Sequence, residues 1–444
     1  MDGGRSGADP AAALGPGAPA AIDAPTARVH RVVAAIWRME SARIIGALAR
    51  MLRNVGLAEE LAQDALVSAL ERWPRDGVPD NPAAWLTTVA KRRALDHLRH
   101  QKLAQANEAA LGYEIALQLQ DAAPDIEAGI DDDIGDDLLR LIFVACHPVL
   151  STEARTALTL RMVGGLRTDE IARAFLVPEA TVAQRIVRAK RTLAEARVPF
   201  EVPAAAERGA RLASVLQVIY LIFNEGYAAS AGDEWLRPAL CEEALRLGRI
   251  LAELAPHEAE VHGLVALMEI QSSRARARVG PQGEPVLLLE QDRARWDQLL
   301  IRRGLAALER AARLGQGYGP YALQGAIAAC HARARRAVDT DWPRIAALYD
   351  ALAQLAPSPV VELNRAVVLA MAYGPATGLA LVDALVAAGT LANYHLLPSV
   401  RGDLLAKLGR HDEARVEFER AAALTRNGRE RTLLRARAQA CAAP

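Results

Sequence analysis

Apolar residues recur along most of this chain at steps of three and four, the period of a helix with one buried face. Few stretches alternate as strands do, so an all-α protein is expected. Val29, Val32, Val33 and Ile36 lead into Ile44, Ile45, Leu48 and Leu52, and Gly56 is expected to break that run. A second helix follows through Leu61, Ala65, Leu66, Ala69 and Leu70, with Glu59, Glu60, Gln63 and Asp64 outward and Trp73-Pro74 as its end. After a polar loop from Arg75 to Pro82, Trp85, Leu86, Val89, Ala90 and Leu98 form the apolar face of a third. Its other faces carry Lys91, Arg92, Arg93, His97, Arg99, His100 and Lys102. Leu138, Leu139, Leu141, Ile142, Val144 and Ala145 mark a further helix before Pro148.

From Ser151 to Leu193 the pattern is that of a helix-turn-helix. Ser151 and Thr152 offer a capping oxygen, Gly164-Gly165 end the helix, and Thr168 caps a short one running from Asp169 to Phe175. Leu176, Val177 and Pro178 make a tight break. In the next helix Val182, Ile186, Ala189 and Leu193 share one face. Thr181, Gln184, Arg188 and Arg191 lie opposite, with Arg185 on the shoulder. An apolar inner face with long donors outward is what a DNA recognition helix requires.

Beyond Pro203 an apolar helix (Leu212, Val215, Leu216, Ile219, Tyr220, Phe223) opens a region of paired helices. Gly402, Leu405, Ala414 and Phe418 hold the spacing of the tetratricopeptide (TPR) repeat, with Leu405 in place of its aromatic and Pro398 in place of its Trp. Leu254-Ala255-Pro256 and Leu355-Ala356-Pro357 end helices about three repeat lengths of ~34 residues apart. A degenerate TPR-like array offering a surface to a protein or peptide is therefore expected. Residues 274–286, with Arg274, Arg276 and Arg278, read as an exposed loop in it.

Composition narrows the picture. Formal net charge is zero, so nucleic-acid binding has to rest on local patches. The longest uninterrupted apolar run is too short to span a bilayer, and residues 1–25 lack the apolar segment of a signal peptide; a soluble, cytoplasmic protein without membrane contact is expected. Cys146, Cys241, Cys330 and Cys441 are scattered, and Cys146-His147 lacks two further ligands at suitable spacing, so neither metal nor cofactor is expected. His257, His262 and His331 stand alone, and no catalytic constellation is found.

The run Ala58-Glu59-Glu60-Leu61-Ala62-Gln63-Asp64-Ala65, the Trp73 loop, Pro82-Ala83-Ala84-Trp85-Leu86 and Lys91 through Arg99 resemble region 2 of the extracytoplasmic-function (ECF) sigma factors of bacterial RNA polymerase. Thr168 through Ala172 and Pro178 through Val182 resemble region 4 of the same family. The resemblance implies an alternative sigma factor that brings core RNA polymerase to promoter DNA, of the group carrying a C-terminal helical-repeat extension. It places Leu61, Gln63 and Asp64 at the polymerase, Lys91, Arg92 and Arg99 at the opened −10 element, and Thr181, Gln184, Arg185, Arg188 and Arg191 at the −35 element. Trp73 and Trp85 are read as core anchors. The expected domains are a disordered tail at 1–26, region 2 at 27–104, a linker at 105–133, region 4 at 134–200 and the extension at 201–444. The linker's Asp121, Asp125, Glu127 and Asp131–Asp133 either mimic phosphates in the RNA channel or only keep it solvated. The extension, joined through Val198–Pro203, is expected to dock on the sigma portion and control it. A one-component helix-turn-helix regulator with a TPR-like sensor is the rival reading, and it leaves region 2 without a use.

Overall fold

The structure is a computed structural model that describes residues 24–108, 134–175, 177–315 and 317–442. The tail before Ala24, the acidic linker residues and Leu176 lie outside the described residues, and so do the expectations attached to them.

The protein is all-α. Three helices, α1 (Ala24–Leu52), α2 (Val55–Asp76) and α3 (Pro82–Glu108), pack together over the stretch expected to be region 2. The break between α1 and α2 is not made by Gly56. Arg53 takes a positive φ of 50°, and Asn54 caps α2 by accepting from Leu57 N at 3.1 Å, which leaves Gly56 inside the first turn. Likewise Trp73-Pro74 does not end α2. The helix continues to Asp76 and stops at Gly77 (φ 86°), whose N–H donates to Trp73 O.

Region 4 consists of α4 (Ile134–Ala145), α5 (Thr152–Met162), α6 (Thr168–Phe175) and α7 (Glu179–Glu195). Ser151 caps α5, its side chain accepting from Ala154 N. Gly165 (φ 67°) makes the turn beyond α5, where a side chain would be strained and would meet Ser41 of α1.

The extension opens with α8 (Ala205–Tyr227), α9 (Pro238–Leu254) and α10 (Ala259–Ser272). It continues through α11 (Gln298–Leu314), α12 (Pro320–Arg333), α13 (Trp342–Leu355), α14 (Pro359–Tyr373), α15 (Pro375–Ala387), α16 (Leu396–Lys407), α17 (His411–Leu424) and α18 (Gly428–Ala440). Consecutive helices pack pairwise. Gly402 of α16 lets the chain approach Phe418 and Ala414 of α17 closely: a Cβ there would lie 3.0 Å from the Phe418 ring. The two ends of the extension meet. β1 (Ala231–Gly232) pairs in parallel with β2 (Arg426–Asn427), and buried Asn427 donates to Ala229 O and Glu234 O at 3.1 and 2.8 Å.

Residues 274–286 match the expected exposed loop only in part: Arg276, Pro281, Gln282 and Glu284 are exposed, but Arg274 and Arg278 are not. A short 3-10 turn (Ala275–Ala277) carries Arg274 and Arg278 inward, and both are buried. Their guanidinium groups lie near aromatic rings, Arg278 3.5 Å from the centre of Tyr227 and Arg274 5.6 Å from that of Trp296, which helps a charged residue enter the interior.

One apolar core runs through all three parts. Val33 and Leu48 of α1, Leu141 of α4, Ile186 of α7, Val215 and Ile219 of α8 and Leu251 of α9 belong to it. The apolar helix that follows Pro203 is thereby covered by region 4 and by α9 together. No helix among the described residues is long and apolar enough to cross a membrane.

Candidate nucleic-acid interface

The recognition helix α7 buries Val182, Ile186, Ala189 and Leu193, as its spacing requires. Gln184, Arg188 and Arg191 are exposed on the far side, while Thr181 and Arg185 are half-buried. Arg191 is partly occupied, since its Nε donates to Glu195 at 2.6 Å. Arg185 borders a small cavity of about 200 Å³ with Glu153, Phe175 and Glu225. The Glu153 carboxyl is held below its ordinary value, chiefly by its own backbone N–H and then by Ser151. Val187, 64% exposed between Gln184 and Arg188, went unremarked in the sequence pattern. An exposed apolar residue on this face is suited to a thymine methyl.

In region 2, Arg92 and Arg99 are exposed on α3 and Lys91 is half-buried. Arg99 faces Asp96 at 3.4 Å, and no described carboxylate pairs with Lys91 or Arg92. Trp73 is fully buried and meets half-buried Trp85 edge-on at 5.4 Å, so this pair anchors α2 to α3. Asp64 does double service. Its carboxylate accepts from Arg93 at 2.9 Å while Arg93 also reaches Ser68 at 2.8 Å, stitching α2 to α3.

Glu59 is not on an outer face. It is 4% exposed and accepts from Arg161 Nε of α5 at 3.0 Å and from Lys190 Nζ of α7. Gln63 donates to the same carboxylate. The burial comes from region 4 lying against α2, and partners so remote in sequence leave no trace in the spacing of α2. Asp137 repeats the pattern. It belongs to the acidic run in sequence, yet its side chain is 2% exposed between Arg140 at 2.8 Å and Arg50 of α1 at 3.3 Å. Gly46 makes room for it, since a Cβ there would sit 3.1 Å from Asp137 O. The candidate −10 and −35 surfaces are therefore carried on two domains held together by a shared apolar core and by two buried carboxylates with their cations.

The extension grips region 4 from its other side. Arg155 of α5 donates to Ser214 of α8, and Ser214 donates to Cys146 O at 2.7 Å. Arg211 reaches Phe143 O at 3.1 Å, Arg246 of α9 reaches Val163 O at 3.1 Å, and Arg237 reaches Ala174 O. Cys146 is buried against Thr159 Oγ1 at 3.2 Å, and burial pushes its thiol up to about 11; His147 Nδ1 accepts from Val149 N.

Residues 36–103 match the Sigma-70 region 2 family, and residues 140–193 match Sigma-70, region 4. Residues 211–312 match a family of unknown function, DUF6596. An uncharacterised protein of Rhizobium meliloti is 47% identical over 88% of this chain and 91% of its own length. The ECF RNA polymerase sigma factor SigK of Mycobacterium ulcerans is 32% identical over 34% of this chain and 78% of its own length. A probable ECF RNA polymerase sigma factor, SigI of Mycobacterium tuberculosis, is 26% identical over 40% of this chain and 60% of its own length. No solved structure is significantly similar to the chain.

Proposed function

The chain belongs to the ECF RNA polymerase sigma factors, and from that premise we propose how its surfaces divide the work and how its extension governs them. Gln184, Arg188 and Arg191, with Thr181 and Arg185 behind them, read the −35 element from α7. Lys91, Arg92 and Arg99 hold the phosphates of the strand opened at the −10 element. Leu61, Gln63 and Asp64 meet core polymerase along α2. The extension is a TPR-like array in which Gly402, Ala414 and Phe418 take the small and aromatic packing positions. It holds region 4 and sets how readily the sigma portion engages promoter DNA.

The carrying observation is the buried Glu59, which ties the polymerase face of α2 to the recognition helix. Elements centred near −10 and −35 lie on the order of 85 Å apart at ~3.4 Å per base pair. Domains joined through a shared carboxylate cannot read both at once, so the clasped form is a resting state. The tethers favour one way of opening. The stretch 109–133 can span roughly 85 Å when fully extended, whereas the few residues from 198 to 204 keep the extension beside region 4. Region 2 swings away, and region 4 and the extension move as one body.

Promoter-dependent transcription by core polymerase supplied with this protein tests the reading. Arg188→Ala is expected to lower output about tenfold or more, the loss of one guanine contact worth roughly 1–3 kcal/mol. Undiminished output from Arg188→Ala and from Gln184→Ala would remove this face of α7 from promoter recognition.

A further inference from the structure

Three buried arginines stand together in the extension. Arg274, Arg278 and Arg293 are each at most 9% exposed, and no described carboxylate lies within salt-bridge distance of any of them. Buried charges are ordinarily paired, because burial removes the water that stabilised them. Arg293 is held by two backbone carbonyls and a hydroxyl, donating to His331 O, Ala334 O and Thr340 Oγ1 at 2.7, 2.8 and 3.0 Å, with its Nε left over. Arg274 reaches Tyr227 Oη and Gln271 and leaves its Nε without a partner. Arg278 has least: the Tyr227 carbonyl, and the Tyr227 ring 3.5 Å beneath its guanidinium. The surplus of positive charge is felt nearby, where burial, helped by Arg274 and Arg293, holds His331 down at about 4.

Arg278 opens onto a cavity of about 370 Å³ between the end of α8, α9 and α11. Arg249 and Arg303 also line it, against one carboxylate, that of exposed Glu242. Arg249 is engaged by Glu269 at 2.8 Å, whereas Arg303 has no described ion-pair partner. Ser272 adds a buried hydroxyl without a hydrogen-bond partner. The rest of the wall is apolar or aromatic, with Tyr227, Leu236, Leu245 and Leu300. Small-molecule sites have this make-up: roughly 300–1,000 Å³, mostly apolar, with a few convergent polar groups.

We propose that this cavity is a binding site for a small organic anion, a carboxylate or phosphate head on a planar or apolar body, with Arg278 as its anchor. The head lies against the Arg278 guanidinium, whose fork suits either oxyanion, and Arg303 closes over it from the mouth. The body lies along Leu245 and Leu300. The site shares α9 with region 4, because Arg246 on that helix holds Val163 O while Cys241, Leu245 and Arg249 face the cavity.

Thermal unfolding of the full chain at fixed ionic strength, with phenyl phosphate, benzoate or inorganic phosphate, tests the proposal. Phenyl phosphate or benzoate at millimolar concentration is expected to raise Tm by about 2 °C or more over matched sodium chloride. The two arms tell a phosphate head from a carboxylate, and a smaller rise with inorganic phosphate shows that the body contributes. Arg278→Met keeps an unbranched apolar side chain but removes the guanidinium over Tyr227, and should abolish the rise. Arg303→Gln, at an exposed position, should weaken it several-fold and answers the question if Arg278→Met does not fold. No rise with either organic anion overturns the proposal, and so does a rise that both variants retain in full.

Discussion

Region 4 is covered on two sides by the rest of the chain, and the two coverings differ in chemistry. Toward region 2, the packing of α4 on α1 is rimmed by ions: Glu59 with Arg161 and Lys190, Asp137 with Arg50 and Arg140, and the exposed pair Arg38–Glu170. Toward the extension, Val215, Leu216, Ile219 and Phe223 of α8 enter the common core, and the extension's arginines that cross the joint meet backbone carbonyls there, while Arg237 and Arg246 keep their ion pairs with Glu225 and Glu243 of the extension itself. Parting the first joint also exposes the apolar contact of α1 with α4, but it returns the ions of its rim to water, which solvates them well. Parting the second exposes apolar side chains at about 1.5–3 kcal/mol each. Together with the short connection at 198–204, the difference supports the proposed opening at the first joint.

Breaking the apolar joint should have the largest effect. Val215 is fully buried, and Val215→Asp places a carboxylate in the shared core. A loss of several kcal/mol is expected, against a total stability of about 5–15 kcal/mol for a domain. The protein should lose its cooperative melt or become insoluble. A variant that melts like the parent would mean that α8 is not what secures the extension to region 4.

A smaller and more selective effect is expected at the ionic joint. Glu59→Gln leaves Arg161 and Lys190 partly buried without their counter-charge, a change worth about 3 kcal/mol. Because the cost falls on the clasped form alone, the open population should rise about a hundredfold. Small-angle scattering from the free protein should report a larger radius of gyration with little change in helix content. A profile identical to the parent's would show that Glu59 does not latch the domains.

The contrast also marks how far the sequence could be read. The recognition helix was legible because its face is set by local spacing: Val182, Ile186, Ala189 and Leu193 are buried, and Arg188 is exposed. Glu59 was misplaced on an outer face because its burial depends on partners 102 and 131 residues away. Arg278, in what reads as a polar loop, was missed for the same reason, its aromatic partner Tyr227 lying on another helix. Helix ends failed more mildly. Gly56 drew attention that belonged to Asn54, whose side chain replaces a missing backbone partner. Local periodicity carried the fold and the recognition face, and partners distant in sequence decided which charged residues are buried.

Whether the clasped form must open for promoter use can be decided with one cross-link. A Cβ at Gly56 of α2 lies 3.8 Å from Lys190 Cβ of α7. That falls in the ~3.5–4.5 Å range of natural disulfides. In Gly56→Cys/Lys190→Cys, oxidation joins region 2 to the recognition helix, and the reduced form of the same protein serves as the control for both substitutions. Promoter-dependent transcription with core polymerase is the measurement. The oxidised protein is expected to be inactive and to recover on reduction by dithiothreitol; equal activity before and after reduction, with the cross-link verified, would contradict the account.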